Sequence, residues 1–240
     1  GSSMSRHHPF CRSNLTFWLV MLGILLAALS PDQALALRFV AMGDSRGSTV
    51  ENLVNTTILG LVNQQVSALT PSPEFLIFYG DMSYRCNVPS NGENNYTYEA
   101  WLSFMRTGST GLPASLPLYL AIGNHELHES GGSSIAAEEA VLTRLCQQAY
   151  QDFVTSNISA QFMPTTTDLN DDYKHLAYSF TADNGNSLFV VLDGFYIDKN
   201  QTTIPYKASG SLDATQLNYL WYILSNSNAK TKFVIVHNPA

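Results

Sequence analysis

Charge is scarce in this chain. Only 13% of its 240 residues are Asp, Glu, Lys or Arg, and 12 basic side chains lie scattered among 19 acidic ones, for a net charge of −7. Gripping a nucleic-acid backbone takes clustered Lys and Arg that displace counterions. No such cluster is present, so nucleic-acid backbone binding is not expected. Long apolar runs are missing too. The run from Leu15 to Leu29 has fifteen residues, short of the roughly 20 that cross a bilayer as a helix. There is no internal repeat and no low-complexity tract. Length and a 45% hydrophobic content suit one globular domain with a sizeable core.

The short apolar run has a different use. Arg6, His7, His8 and Arg12 precede it as a basic segment, Ser30 and Pro31 end it, and Ala34-Leu35-Ala36 follows as a small-x-small cleavage signal. Residues 4–36 therefore read as a secretory signal peptide, with an uncleaved membrane anchor as the competing reading. Gly1-Ser2-Ser3 ahead of Met4 reads as a cloning scar. The protein is expected to be secreted or periplasmic, with no stable membrane span once the leader is removed. Cysteine is confined to positions 11, 86 and 146, and the first lies in the leader. In an oxidising compartment Cys86 and Cys146 could pair. Alternatively Cys146 packs inside its helix and Cys86 stays a free loop thiol. Both readings stand, because separation along a chain says nothing of whether two Cα atoms come within bridging range.

What is present is a recurrence. Four short apolar runs each stop at metal-ligating residue types: 38–42 at Gly43-Asp44-Ser45-Arg46-Gly47, 75–79 at Gly80-Asp81-Met82-Ser83-Tyr84, 118–122 at Gly123-Asn124-His125-Glu126, and 233–236 at His237-Asn238-Pro239. Runs rich in β-branched and aromatic residues, alternating with helical stretches, are buried strands of an α/β domain. Ligands of such sheets sit at the carboxyl ends of the strands. Between the runs, Ser48-Thr49-Val50-Glu51 has capping-box form, and apolar positions from Val50 to Leu69 predict a helix ending before Pro71. Further helices are predicted over about 98–106, 135–155 and 213–225, broken before the second by Gly131-Gly132-Ser133-Ser134, with a loop over 157–172. Leu176–Thr181 and Ser187–Asp193 flank Asp183-Asn184-Gly185-Asn186, and Asn-Gly between apolar runs predicts a hairpin.

On GDSRG, GDMSY, GNHE and VIVH, in that order and each behind a strand, the chain over about 38–240 resembles the calcineurin-like metallophosphoesterases, within them the purple acid phosphatase branch. The resemblance implies a two-sheet α/β sandwich of the metallophosphoesterase type over residues 37–240. It also implies hydrolysis of small phosphate esters by a metal-activated hydroxide at two metal ions (Fe, Zn or Mn). Two ions roughly 3.5–4 Å apart lower the pKa of bound water and neutralise phosphate oxygens together. Carried over by position, Asp44 and Tyr84 bind the first ion, Asp81 bridges both, and Asn124 and His237 bind the second. His125 protonates the leaving oxygen, as an imidazole with an ordinary pKa of about 6.5 can.

Two departures stand out. Where many members place a metal-binding His in the first motif, this chain has Arg46, which has no lone pair to give. It is open to contact substrate phosphate or to pair with a carboxylate. The family's closing GHxH motif is absent, so the domain is expected to lack its C-terminal strands and the 240-residue chain to have little activity. The rival reading is a non-catalytic or fragmentary member acting as a binding or structural domain. Neither substrate nor oligomeric state is encoded in any motif. For the leader, N-terminal sequencing of the exported protein should begin at Leu37; an intact Met4 would overturn the cleavage signal.

Overall fold

The computed structural model describes residues 37–49, 52–86, 97–127, 137–159, 162, 169–196 and 210–237. The leader, the Gly131–Ser134 break and His128 lie outside them. The elements are β1 (Phe39–Met42), β2 (Arg46–Thr49), β3 (Asn52–Val54), helix α1 (Thr56–Ala68), β4 (Phe75–Phe78), α2 (Thr97–Arg106), β5 (Leu118–Leu120), α3 (Ala137–Asn157), β6 (Tyr178–Ala182), β7 (Ser187–Leu192), α4 (Ala214–Asn226) and β8 (Thr231–Val236). The fold is mixed α/β. One sheet runs β1-β4-β5, all parallel; another runs β6-β7-β8, with β6 antiparallel and β8 parallel to β7; β2 and β3 form a small antiparallel pair.

Burial explains the composition of the strands. β4 is the middle strand of its sheet and all four of its residues, Phe75 to Phe78, are buried. A strand covered on both faces reads as a continuous apolar run rather than an alternating one. β7, central in the other sheet, is buried along its whole length for the same reason. The two sheets meet through aromatic rings. Phe39 of β1 lies edge-on to Phe189 of β7 at 5.1 Å and to Phe233 of β8 at 5.3 Å, while Phe75 of β4 meets Phe180 and Phe189 at 5.7 and 5.3 Å. Edge-to-face pairs of this kind add about 0.5–1.5 kcal/mol each beyond the area they bury. On the far face of the first sheet, α2 and α3 supply Tyr98, Trp101, Tyr150 and Phe153 to one core. Tyr219 of α4, with Leu188, Val190 and Leu192 of β7, forms another.

The chain after the first strand departs from expectation. The helix predicted from Val50 instead begins at Thr56, where the Asn55 side chain accepts the Ile58 N–H at 3.2 Å. Residues 46–49 and 52–54 are the β2–β3 pair, with Arg46 opposite Val54. Two bonds account for this. Thr49 Oγ1 accepts the Asn52 N–H, as in a turn, and the Leu53 carbonyl accepts the Tyr84 N–H at 2.7 Å, drawing β3 onto the loop after β4. Tertiary pairing overrides a capping-box pattern in a β-branched segment. The predicted hairpin is present as β6 and β7, its turn carried by Asp183, Asn184 and Gly185 at φ of 53°, 52° and 86°. Asn, Asp and Gly are the residues that tolerate that left-handed backbone.

Cys86 and Cys146 form a disulfide, which decides between the two cysteine readings; their Cα atoms are 5.5 Å apart. The bond ties the loop after β4 to α3 across a separation of 60 residues. A closed loop of that length is worth about 4 kcal/mol by restriction of the unfolded chain. Reduction should therefore lower the denaturant midpoint measured by tryptophan fluorescence, and Cys86→Ala should reproduce the loss without reductant. Equal midpoints would mean that α3 holds the loop unaided.

Candidate metal centre

The three motifs behind β1, β4 and β5 pack backbone against backbone. Asp44 and Asp81 both take the left-handed conformation, at φ of 55° and 56°, which Asp adopts more readily than most residues. The Asp44 N–H bonds the Gly80 carbonyl and the Arg46 N–H the Asp81 carbonyl, each at 3.0 Å, so the first turn is laced along the second. Ser45 Oγ donates to the Met82 carbonyl and receives the Trp101 Nε1–H. Two glycines are required by the closeness of this packing. A Cβ on Gly80 would lie 2.7 Å from the Gly123 Cα, and one on Gly123 would lie 2.4 Å from Asp81 Oδ1.

This lacing gathers a donor set. Ligand atoms of Asp44, Asp81 and His237 lie within 4.8 Å of one another, with Asp44 exposed and the other two buried. Asn124 joins them, its Oδ1 3.2 Å from His237 Nε2. The His237 ring is held by Nδ1, 2.7 Å from the Tyr79 carbonyl. A carbonyl accepts only, so Nδ1 carries a proton and Nε2 is the nitrogen turned to the cluster. Nε2 faces Asp81 Oδ1 at 3.3 Å and Asn124 Oδ1 at 3.2 Å. A proton on Nε2 would pair with Asp81; with Nε2 bare, acceptors converge there and a cation would satisfy them. A ligating His whose other nitrogen is anchored on a carbonyl is the usual arrangement around bound metal.

The remaining predicted residues are placed as follows. His125 is half-buried beside Asp81, whose Oδ1 accepts its backbone N–H at 3.1 Å. Its Nδ1 lies 2.8 Å from the Tyr84 carbonyl, which makes Nδ1 the protonated nitrogen and Nε2 the working one. The Tyr84 ring leans on the His125 ring, with centroids 5.5 Å apart. Its phenol makes no hydrogen bond to Asp44 or Asp81 among the described residues. Arg46 pairs with Asp81, Nε to Oδ2 at 3.0 Å.

Sequence reasoning passed over Glu126. It is fully buried, and its two oxygens accept the backbone N–H groups of Gly123 (2.7 Å) and Asp81 (2.8 Å) on one side, and Met82 (2.7 Å) and Ser83 (3.4 Å) on the other. Burial and then the Asp81 charge push its carboxyl up to about 8, against the pull of the Gly123, Asp81 and Met82 N–H groups. Four N–H donors around its two oxygens offer a carboxyl proton no acceptor, so these bonds favour the ionised form. The signal for it was the family's acidic fourth position in GNHE, read as motif rather than as geometry. Asp193, at the end of β7, is also fully buried. Burial pushes it up to about 7, and its Oδ2 has no partner among the described residues.

Glu126→Gln is the direct test of this clasp. An amide keeps the volume but turns an NH2 toward one pair of backbone donors. Each buried donor left unsatisfied costs about 1–3 kcal/mol, so the variant should lose about 2–5 kcal/mol in chemical denaturation. A loss below about 1 kcal/mol would show that the turns hold without the carboxylate. A scan against models of known protein families finds no match for this chain, and a search of curated proteins finds none either.

Proposed function

We propose that this protein is an exported metal-dependent phosphoesterase of the calcineurin-like metallophosphoesterase family, in its purple acid phosphatase branch. The observation that carries the reading is the meeting of Asp44, Asp81, Asn124 and His237 from four separate strand ends. Four residues spread over nearly 200 positions meet at the carboxyl ends of their strands, where ligands of such sheets sit. The aromatic contact between the two three-stranded sheets supports the two-sheet α/β sandwich that the motifs imply.

The donor set fits a metal ion by its chemistry. Two carboxylates, an amide oxygen and an anchored imidazole are the mixed N and O ligands of Zn, Mn or Fe. A bound ion would lower the pKa of water at the site and neutralise charge on a phosphate ester. The chain's own groups do the rest. His125, fixed through Nδ1 by the Tyr84 carbonyl and through its backbone N–H by Asp81, carries a second proton on Nε2 when the ring is an imidazolium, and in that form can deliver it to a departing alkoxide. Tyr84 backs that ring, limiting its rotation. Arg46 adds a permanent positive charge at the mouth of the site, beside a cleft of about 290 Å³ lined by Asp44, Gly47, Ser48, Asn52 and Asn55. All the side chains named there are polar, so a phosphate ester with a polar alcohol would be accommodated.

The test is hydrolysis of 4-nitrophenyl phosphate by the protein as its natural gene encodes it. Activity should require added Zn²⁺ or Mn²⁺ and vanish with chelator. Asp81→Ala should abolish it, and His125→Ala should lower kcat by about 10²–10⁴-fold, the ordinary contribution of a proton donor. Metal bound without hydrolysis of any ester would favour a binding role instead.

A further inference from the structure

Resting on the phosphoesterase reading above, the cleft beside Arg46 bears on which ester the site prefers. The cleft has a volume of about 290 Å³ and is lined by Asp44, Arg46, Gly47, Ser48, Asn52 and Asn55. That is the small end of ligand-sized clefts, enough for part of a substrate. Asp44 belongs both to this lining and to the donor set with Asp81 and His237, so an occupant of the cleft borders that centre. We infer that the cleft is an anion subsite, and that the preferred ester has an alcohol carrying a second negative charge, a carboxylate or a phosphate.

Three observations carry this. The first is the spare capacity of Arg46. Its Nε–H is spent on Asp81 Oδ2 at 3.0 Å, and its terminal nitrogens make no hydrogen bond or ion pair with another described residue. Asp81 is almost fully buried, whereas the Arg46 side chain keeps 38% of its surface exposed, so the guanidinium leads from the centre out to the cleft. The terminal nitrogens present a planar pair of donors, which matches the two oxygens of a carboxylate or phosphate.

The second is the orientation of Asn55. Its Oδ1 accepts the Ile58 N–H at 3.2 Å as the cap of α1. Only the amide oxygen can do that, so the uncommitted end is the NH2, a donor. Arg46 and Asn55 are also held in one frame. Arg46 lies opposite Val54 across the β2–β3 pair, and the next N–H, that of Asn55, bonds the Ser45 carbonyl at 2.7 Å.

The third is charge. Asp44 is the one acidic residue among those lining the cleft, and its charge is spent on the ion under the metal-centre reading. Helix α1, which opens at Asn55, has no acidic side chain in its first turn. A second anion on the substrate therefore meets a permanent cation, an amide donor and the Ser48 hydroxyl, with no free carboxylate among the lining residues to oppose it. A neutral alcohol would draw nothing from the guanidinium's charge. The reaction is ordinary hydrolysis: the oxygen of water bonds to phosphorus, the bond to the alcohol oxygen breaks with its electron pair, and that oxygen takes a proton. The subsite holds the departing alcohol and selects it by charge.

Three esters on one carbon frame test this in the natural full-length protein with Mn²⁺: glycerol 3-phosphate, 3-phosphoglycerate and glycerol 1,3-bisphosphate. The second and third carry a carboxylate or a second phosphate at the end where the first has a neutral hydroxyl, and so tell the two anions apart. At least one should exceed glycerol 3-phosphate in kcat/KM by about tenfold or more, the worth of a hydrogen bond to a charged group. Calorimetry with 4-phosphonobutyrate against butylphosphonate, neither of which is hydrolysed, should show the same preference in Kd. Asn55→Asp keeps the helix cap, since Asp caps as well as Asn, but sets a carboxylate oxygen where the NH2 stood. Ser48→Glu brings a carboxylate to the cleft from an exposed position. Either variant should remove most of the preference. Turnover of both anionic esters no better than that of the neutral one would overturn the inference and leave the phosphoesterase reading standing. So would a preference that survives in whichever variant folds by circular dichroism. Hydrolysis of none of the three, nor of 4-nitrophenyl phosphate, would overturn the phosphoesterase reading itself, and this inference with it.

Discussion

One buried carboxylate organises the site. Glu126 contributes no candidate ligand, yet its two oxygens collect N–H groups from both the second and third motif turns. Without it, the Asp81 and Asn124 turns would be separate strand ends with unsatisfied donors. Placing an anion there is costly because burial and the neighbouring Asp81 both oppose ionisation. The backbone dipoles and the positive charge of a bound ion act in the opposite sense. If a cation binds as proposed, folding and its binding are linked through a residue that offers it no donor atom.

Around this clasp the support is aromatic and rigid. Trp101 stacks edge-on against Phe78 at 4.8 Å and donates to Ser45, so α2 holds the first motif turn in place. Tyr98, from the same helix, donates to the Glu126 carbonyl at 2.9 Å. The disulfide secures the loop that carries Tyr84. The three turns behind β1, β4 and β5 are thus each fastened by a residue from α2 or α3. Precision at the site comes from the layer behind it.

The strand ends were legible because apolar runs give way to polar residues there: β1, β4, β5 and β8 end two, three, four and one residues before Asp44, Asp81, Asn124 and His237. The β6–β7 hairpin was legible because Asn184-Gly185 has no other comfortable backbone. Asp44, Asp81, Asn124 and His237 were found as a group because each follows a short apolar run that forms a strand, although only β4 of the four is buried throughout, and β1 and β8 are partly or largely exposed. The β2–β3 pair was not legible. Its cause is the Tyr84 N–H reaching back to Leu53, a contact between positions 31 residues apart in sequence. Nor could spacing show that Arg46 lies on Asp81, or that Glu126 gathers N–H groups from two turns, since both depend on how the turns interlock. The disulfide stayed undecided for the same reason.

The hydrogen bond from His237 to the Tyr79 carbonyl joins positions 158 residues apart. During synthesis the first three motifs emerge long before the strand that delivers the imidazole. A chain threaded across a membrane in extended form would carry its carboxylates as ordinary, weakly binding side chains. Only when β8 has docked beside β7 does the nitrogen donor arrive and the set close. Under the proposed export and metal binding, capture of the ion would come as the last event of maturation, with the ions of the compartment where the protein works rather than those of the compartment where it was made.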